Sequence, residues 1–380
     1  MVNLKVNNDA ENTIPWSIQM SESVMQRNPN PPKKWGYEYG VVYKGMEQVW
    51  LRTKDQRYFD YIKLCMDAYI EENGNIRTYK PEEYNIDHVN NGKLLFPLFH
   101  KTGEEKYKKA AFLLRSQLET HPRTKEGGFW HKKIYPHQMW LDGLYMGDTF
   151  YAEFISTFGK PEDYDDVTKQ FILIEKYTKD AQTGLLYHGW DESREQEWAD
   201  SKTGCSKCFW GRAMGWYAMA IVDVLDYLPA EHKDQKKIIQ IFNDMVDALI
   251  KVQDEESGVW YQVLDQKGRE GNYREASASC MFVYSIVKAV RKGYIDSSYL
   301  AAARKGFDGI LKEFIRIDDQ GLVNLENNCE VAGLGKPPNA GAAFKYRDGS
   351  FEYYVSEPIV ANDEKGIGAF ILAAFELESL

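Results

Sequence analysis

Residues 236–253 read KKIIQIFNDMVDALIKVQ, and four residues later comes Gly-Val-Trp-Tyr at 258–261. Ile238, Phe242, Met245, Leu249 and Val252 recur at steps of three and four. That places them on one face of a helix. The pattern of an amphipathic helix followed by a glycine and an aromatic or apolar run returns along the chain. Gly-Gly-Phe-Trp-His stands at 127–131, Gly-Leu-Leu-Tyr-His at 184–188 and Gly-Leu-Val-Asn at 321–324. Counted from Gly128, the glycines Gly184, Gly258 and Gly321 follow at steps of 56, 74 and 63 residues. A unit of this size holds two helices of ~15–20 residues and their connections. A lone helical hairpin cannot bury its apolar face, so such units pack side by side.

The chain has 380 residues, enough for six such hairpins. The expected fold is all-α: an (α/α)6 barrel with inner helices around a central cavity and the glycine-aromatic segments at one rim. An open α-solenoid is the alternative, but its repeats are usually shorter and more regular. Helices are also expected over 104–118, 281–292 and 366–378. No Pro- or Gly-rich linker divides the chain. It reads as an N-terminal extension over 1–34 and one barrel over 35–380.

Composition narrows the function. The net charge is −10, from 47 basic and 57 acidic residues, so a nucleic-acid partner is not expected. No apolar run approaches the ~18 residues of a membrane helix. No apolar leader opens the sequence, and a cytoplasmic location is expected. Oligomerisation is expected to go no further than a monomer or weak homodimer. Aromatic residues reach 14%, with 10 Trp. Core packing uses many of them, and a sugar cleft would use others, because flat rings cover sugar C–H faces. The five cysteines are sparse and odd in number, which does not suit a disulfide framework. Cys205 and Cys208 have Cys-x-x-Cys spacing but no second pair to complete a zinc site. No metal and no organic cofactor are expected: phosphate loop, dinucleotide fingerprint and zinc signature are all lacking.

Three segments concentrate polar and aromatic residues. In EYNIDHVNNGKLL (83–95), Asp87 precedes an apolar run, where capping a helix is the plain alternative to a functional role. In GGFWHKKIYPHQMWLDGLYMG (127–147), Asp142 lies among Met139, Trp140, Leu141, Leu144 and Tyr145. An inward carboxylate there is costly unless paired, and such surroundings suit a proton donor. In the stretch 184–220 stand His188, Trp190, Trp198, Trp210, Arg212 and Trp216. An inward Arg212 needs an anionic partner, either a protein carboxylate or a substrate carboxylate. Carboxylates, histidines, one arginine and aromatics in a helical toroid point to general acid/base chemistry on carbohydrate.

The same segments resemble glycoside hydrolase family 105, the unsaturated rhamnogalacturonyl and glucuronyl hydrolases. The resemblance rests on HKKIYPHQMWLDGLYMGDTFYAEF, on HGWDESREQEWAD with FWGRAMGWYAMA, on WGYEYGVVYKGME at 35–47 and on DGSFEYYVSEPIVANDEKGIGAFILAA at 348–374. It implies an (α/α)6 barrel and a substrate partner, an oligosaccharide carrying a 4,5-unsaturated uronic acid at its non-reducing end. It further implies Asp142 as general acid/base and Asp87 as a second, supporting aspartate. His131, His188, Trp210, Arg212, Trp216 and Tyr39 are then expected to line the sugar pocket. Arg212 would hold the uronate carboxylate, and a tryptophan would stack on a sugar face. Ser206-Lys207-Cys208 has no place in this pattern. Competing expectations are an unsaturated chondroitin or hyaluronan disaccharide hydrolase, a sugar epimerase of the same fold, and a non-catalytic sugar-binding protein.

Overall fold

The computed structural model describes residues 14–338, 340–341 and 343–380. Helices α1 (Trp16–Arg27), α2 (Tyr37–Thr53) and α3 (Gln56–Asp67) come first. A 3-10 run, Ile86–Leu94, leads into α4 (Leu95–Thr102), and α5 (Glu105–Thr120) follows. A single turn, α6 (Leu141–Gly143), continues through a π-helical turn, Leu144–Asp148, into α7 (Thr149–Phe158). Then come α8 (Tyr164–Thr178), α9 (Gly211–Val224), α10 (Gln235–Lys251), α11 (Ala276–Arg291), α12 (Leu300–Glu313), α13 (Phe351–Ser356) and α14 (Glu364–Leu377).

These elements alternate between two rings. The inner ring runs α2, the 3-10 run with α4, α6–α7, α9, α11 and α14, and α14 packs back onto α2 to close it. Each inner helix has its own outer partner: α3 on α2, α5 on α4, α8 on α7, α10 on α9, α12 on α11 and α1 on α14. This is an (α/α)6 barrel, as the hairpin arithmetic anticipated. Residues 16–27, within the stretch read as an extension, supply the outer helix for α14: Met20 and Val24 are buried in the core. Residues 1–13 lie outside the described ones.

Burial separates the rings chemically. Outer α10 hides Ile238, Phe242, Met245 and Leu249 and leaves its other face polar, as its periodicity required. Inner α9 and α11 are buried almost all round. Closure needs small residues. A Cβ at Gly368 on α14 would stand 2.5 Å from the carbonyl carbon of Val41 on α2, so only glycine permits this approach.

The glycine-aromatic segments are the loops that leave the outer helices. In each, an acidic or polar residue starts a tight turn that closes at a left-handed glycine. Thr124, Asp180, Asp254 and Asp318 accept from the amides of Gly127, Gly184, Gly258 and Gly321, whose φ values lie between 77° and 99°. L-residues rarely adopt such angles. The left-handed residue of the first loop is Gly127 rather than Gly128, so the repeat begins one residue earlier than the spacing assumed. A fifth loop, at Gly74, belongs to the series (φ 88°).

Candidate active site

Inner helices α2, α6, α9, α11 and α14, together with the 3-10 run, begin at one end of the barrel, and the functional side chains gather there. Two backbone pairings assemble them. Residues 84–86 pair with 131–133: Ile86 N donates to His131 O, and Lys133 N to Tyr84 O. This sets His131 and Lys132 beside Asp87. Strands β1 (Gln138–Trp140) and β2 (Gly189–Asp191) pair antiparallel, and Leu141 N donates to His188 O at 3.0 Å. Asp142 in α6 therefore starts its helix against His188.

Asp87 is buried. Its Oδ2 lies 2.6 Å from Lys132 Nζ and its Oδ1 3.4 Å from His131 Nε2. Burial opposes its charge, but Lys132 and His131 prevail and hold the carboxyl below the usual carboxylate range. It does not cap the helix: Asn85 does, its side chain accepting from Asp87 N. The capping alternative is thereby answered. His131 is pushed down to about 4, chiefly by burial and despite the Asp87 charge. It is a neutral imidazole at pH 7, lying flat on Trp140 with ring centres 4.4 Å apart.

Asp142 keeps 13% of its side chain accessible, and its Oδ2 lies 3.3 Å from His188 Nε2. His188 is fully buried and hydrogen-bonds through Nδ1 to the Tyr354 hydroxyl at 2.7 Å. Burial drives the Tyr354 hydroxyl far above the ordinary tyrosine range, so it stays protonated. When that hydroxyl donates to Nδ1, Nε2 carries the proton and faces a charged Asp142. When Nδ1 donates instead, the bare Nε2 faces a protonated Asp142. The histidine thus accommodates both states of the carboxyl.

Trp210 and Trp216 pack against site residues, Trp210 on His188 and Trp216 on Tyr37. Trp210 stacks on Tyr354 at 5.8 Å, tilts against His188 at 4.7 Å, and donates from Nε1 to Gln262. Trp216 meets Tyr37 edge-on and packs on Tyr145. Both are 2% exposed or less. Their faces are occupied by protein, so the expected open stacking platform is not what either one presents.

Two further expectations are corrected. Arg212 is 1% exposed and its guanidinium is taken by protein. It donates to Ser277 Oγ at 2.8 Å, to the carbonyls of Glu330 and Cys329, and pairs with the buried Glu275 at 3.5 Å. Its anionic partner is a protein carboxylate. Tyr39 is half-buried, stacked on Tyr43, and lines a neighbouring cavity of about 520 Å³ with Tyr43 and Tyr61. At 100° per residue, Tyr37 is the tyrosine of α2 turned toward Asp87. Tyr37, Asp87, Lys132, Asp363 and Lys365 line a cavity of about 540 Å³. Lys132, Tyr37, Tyr354, Gln262 and Glu275 escaped the sequence reading. Cys205 donates its thiol to Tyr177 O, and among the described residues neither it nor Cys208 joins a metal-ligand cluster.

The model of Glycosyl Hydrolase Family 88 matches residues 10–380. The chain belongs to this family, the unsaturated uronyl hydrolases of families 88 and 105. A family 105 glycoside hydrolase structure from C. acetobutylicum is 52% identical, with a TM-score of 0.93 over 97% of this chain and 100% of that one. Protein Atu3128 of Agrobacterium fabrum is 39% identical over 61% of this chain and 97% of its own length. The unsaturated rhamnogalacturonyl hydrolase YesR of Bacillus subtilis is 28% identical over 64% of this chain and 68% of its own. The chain is therefore a glycoside hydrolase acting on unsaturated uronyl substrates. No helix of the described residues is long and apolar enough to cross a membrane.

Proposed function

We propose that this hydrolase removes a 4,5-unsaturated uronic acid from the non-reducing end of lyase-generated oligosaccharides of rhamnogalacturonan or ulvan type, with Asp142 as general acid and then base. The observation that carries the assignment is the contrast between the two aspartates. Lys132 holds Asp87 ionised, so it is a poor proton donor. Among the described residues no lysine or arginine forms an ion pair with Asp142, whose Oδ2 faces His188 Nε2, the imidazole held from its other side by the Tyr354 hydroxyl. Two carboxyls in one site with divergent surroundings divide the work of acid and stabiliser.

The substrate is a vinyl ether. Asp142 gives its proton to C4, and positive charge develops at C5, shared with the ring oxygen. Asp87, a fixed anion, favours that charge electrostatically. Water then adds at C5 and yields its proton to the Asp142 carboxylate, which restores the acid. The hemiketal so formed opens and releases the aglycone. The two-carboxylate spacing rule of ordinary glycosidases does not govern this route. Lys132 stands on the cavity wall with its ammonium beside Asp87, and we assign the uronate carboxylate to it rather than to Arg212.

The test is loss of the unsaturated uronate's ultraviolet absorbance on lyase-generated rhamnogalacturonan disaccharide, with ulvan- and chondroitin-derived disaccharides in parallel. Wild type should bleach the first or second. Asp142→Asn should retain its fold and lose at least ~10²–10⁴-fold in kcat. Near-wild-type turnover by that variant would remove Asp142 from the chemistry. Exclusive turnover of the chondroitin substrate would move the assignment to glycosaminoglycan fragments.

A further inference from the structure

The barrel axis has a second polar cavity, at the end opposite Asp142. It measures about 140 Å³, and every inner helical segment contributes to it: Lys44 from α2, Lys93 from the 3-10 run, Glu153 from α7, Asp223 from α9, Lys288 from α11 and Glu376 from α14. Most of its cations are neutralised in place. Lys44 lies 2.6 Å from Glu47, Lys288 2.7 Å from both Asp223 and Asp226, and Arg291 2.6 Å from Glu376. Lys93 differs. It is 2% exposed, and among the described residues no protein group accepts from its Nζ. The ammonium lies 3.6 Å from the centre of the Tyr145 ring. The Tyr145 hydroxyl is buried and equally without a protein partner. The Tyr145 hydroxyl feels the charges of Asp223, Lys44 and Lys288, all on the cavity wall, which places it at the inner end of the same cavity.

A lysine ammonium offers three donors and no acceptor. Leaving it buried without an acceptor is costly, and the cation–π contact offsets only part of that cost. The complement to two adjacent donors is an acceptor with no proton of its own. The volume excludes a sugar or nucleotide, whose pockets run to ~300 Å³ and more. We infer that this cavity binds a small monovalent anion of halide or formate size, held between Lys93 Nζ and the Tyr145 hydroxyl, remote from the catalytic end. Lys292 and Asp226, partly exposed at its edge, mark the entry.

The surroundings set the pH dependence. Burial lowers Lys93 to about 7, with Asp223 and Glu153 opposing the shift and Lys44 and Lys288 reinforcing it. Burial also raises Glu153 to about 7, against the pull of Lys44. Below pH 7 Lys93 is charged and Glu153 is neutral, so the anion is favoured. Above pH 7 both changes act against it.

The probe is bromide on the full chain. Crystals soaked in sodium bromide at pH 6 should give an anomalous peak at Lys93 Nζ. The thermal midpoint should rise with bromide and level off, with ionic strength held by sodium gluconate, a bulkier anion. Lys93→Met should lose both signals. Should that variant fail to fold, Tyr145→Phe decides: removal of one donor to an ion should raise the apparent bromide Kd by about ten-fold or more. No peak at Lys93, or bromide responses identical in wild type and Tyr145→Phe, would overturn the site.

Discussion

Two buried histidines, His131 and His121, should cost this barrel stability in acid well above the pH at which ordinary carboxylates titrate. Unfolded, the His131 imidazole takes a proton below about 6.5; folded, burial defers this to about 4. Between those values the unfolded chain holds more protons, so stability falls as pH falls. From pH 7 to pH 5 a single group with this shift contributes a loss of about 2 kcal/mol. His121 is also lowered to about 4 by burial, and it hydrogen-bonds Trp130 O at 2.7 Å. Together they bring the loss to about 4 kcal/mol, and His88, shifted the same way by burial, adds to it. Asp87 has the same sign in a lower window: its lowered carboxyl stabilises above the unfolded carboxylate range and loses that contribution only as pH drops below it, so it is silent from pH 7 to pH 5. Urea unfolding at pH 7, 6 and 5 measures the sum. Glu153, raised by burial to about 7, and Asp148, raised likewise, act in the opposite sense, so the histidine contribution is read as a difference between variants. His131→Gln, which keeps a polar side chain but cannot titrate, should gain about 2 kcal/mol relative to wild type between pH 7 and pH 5, and a wild type–variant difference that does not change over this range would refute the claim that His131 is buried neutral.

Other consequences separate structural from substrate-binding charges. Arg212→Met should lower stability by ~3–5 kcal/mol, because Glu275 is left buried and unpaired. Lys132→Gln should raise KM for the uronate ~10-fold or more, and it should also lower the midpoint of thermal unfolding because the buried Asp87 loses its cation. An unchanged KM would return the carboxylate to Arg212. Gly368→Ala should destabilise by ~1–3 kcal/mol or more. The new methyl would meet the Val41 and Val42 backbone at 2.5–2.7 Å, forcing α2 and α14 apart. An unchanged melting curve would mean that the ring closes less tightly than these distances require.

Legibility followed the range of the forces involved. Outer helices such as α10 repeat an apolar face against a polar one, so their period is written in the sequence. Inner helix α11 is apolar or small on every side, and its first turn, Ala276–Cys280, has no polar face to mark it; the reading found only 281–292. The loops were visible because a left-handed turn selects glycine, and the slip from Gly127 to Gly128 arose where two glycines are adjacent. Asp87 and Asp142 stood out because acids in apolar company are costly. Their differing roles were expected only from the family resemblance, since the surroundings that distinguish them depend on partners brought in by chain pairing. Lys132, in HKKIYPH, reads as one more solvated lysine until the 84–86 and 131–133 backbones pair and set it 2.6 Å from Asp87.

Arg212 shows the same limit from the other side. Sequence demanded an anion for an inward guanidinium and left open whether the substrate or the protein supplies it. Glu275, 63 residues on, supplies it at the N-terminus of the neighbouring inner helix, where the same carboxylate accepts from the amides of Ser277 and Ala278. It also accepts from Cys329 N. One buried acid thus caps α11, pairs with α9 and fixes strand β3 (Asn328–Cys329), which joins β4 (Ile359–Val360) ahead of α14. An arginine so engaged rigidifies the wall behind the sugar pocket rather than meeting the sugar. Lys132, on a loop of the cavity wall, is the cation we propose for the substrate carboxylate, and its protein partner is Asp87. In the proposed mode the substrate carboxylate, Lys132 and Asp87 lie in a row, and Asp142 stands on the next inner segment, opposite His188.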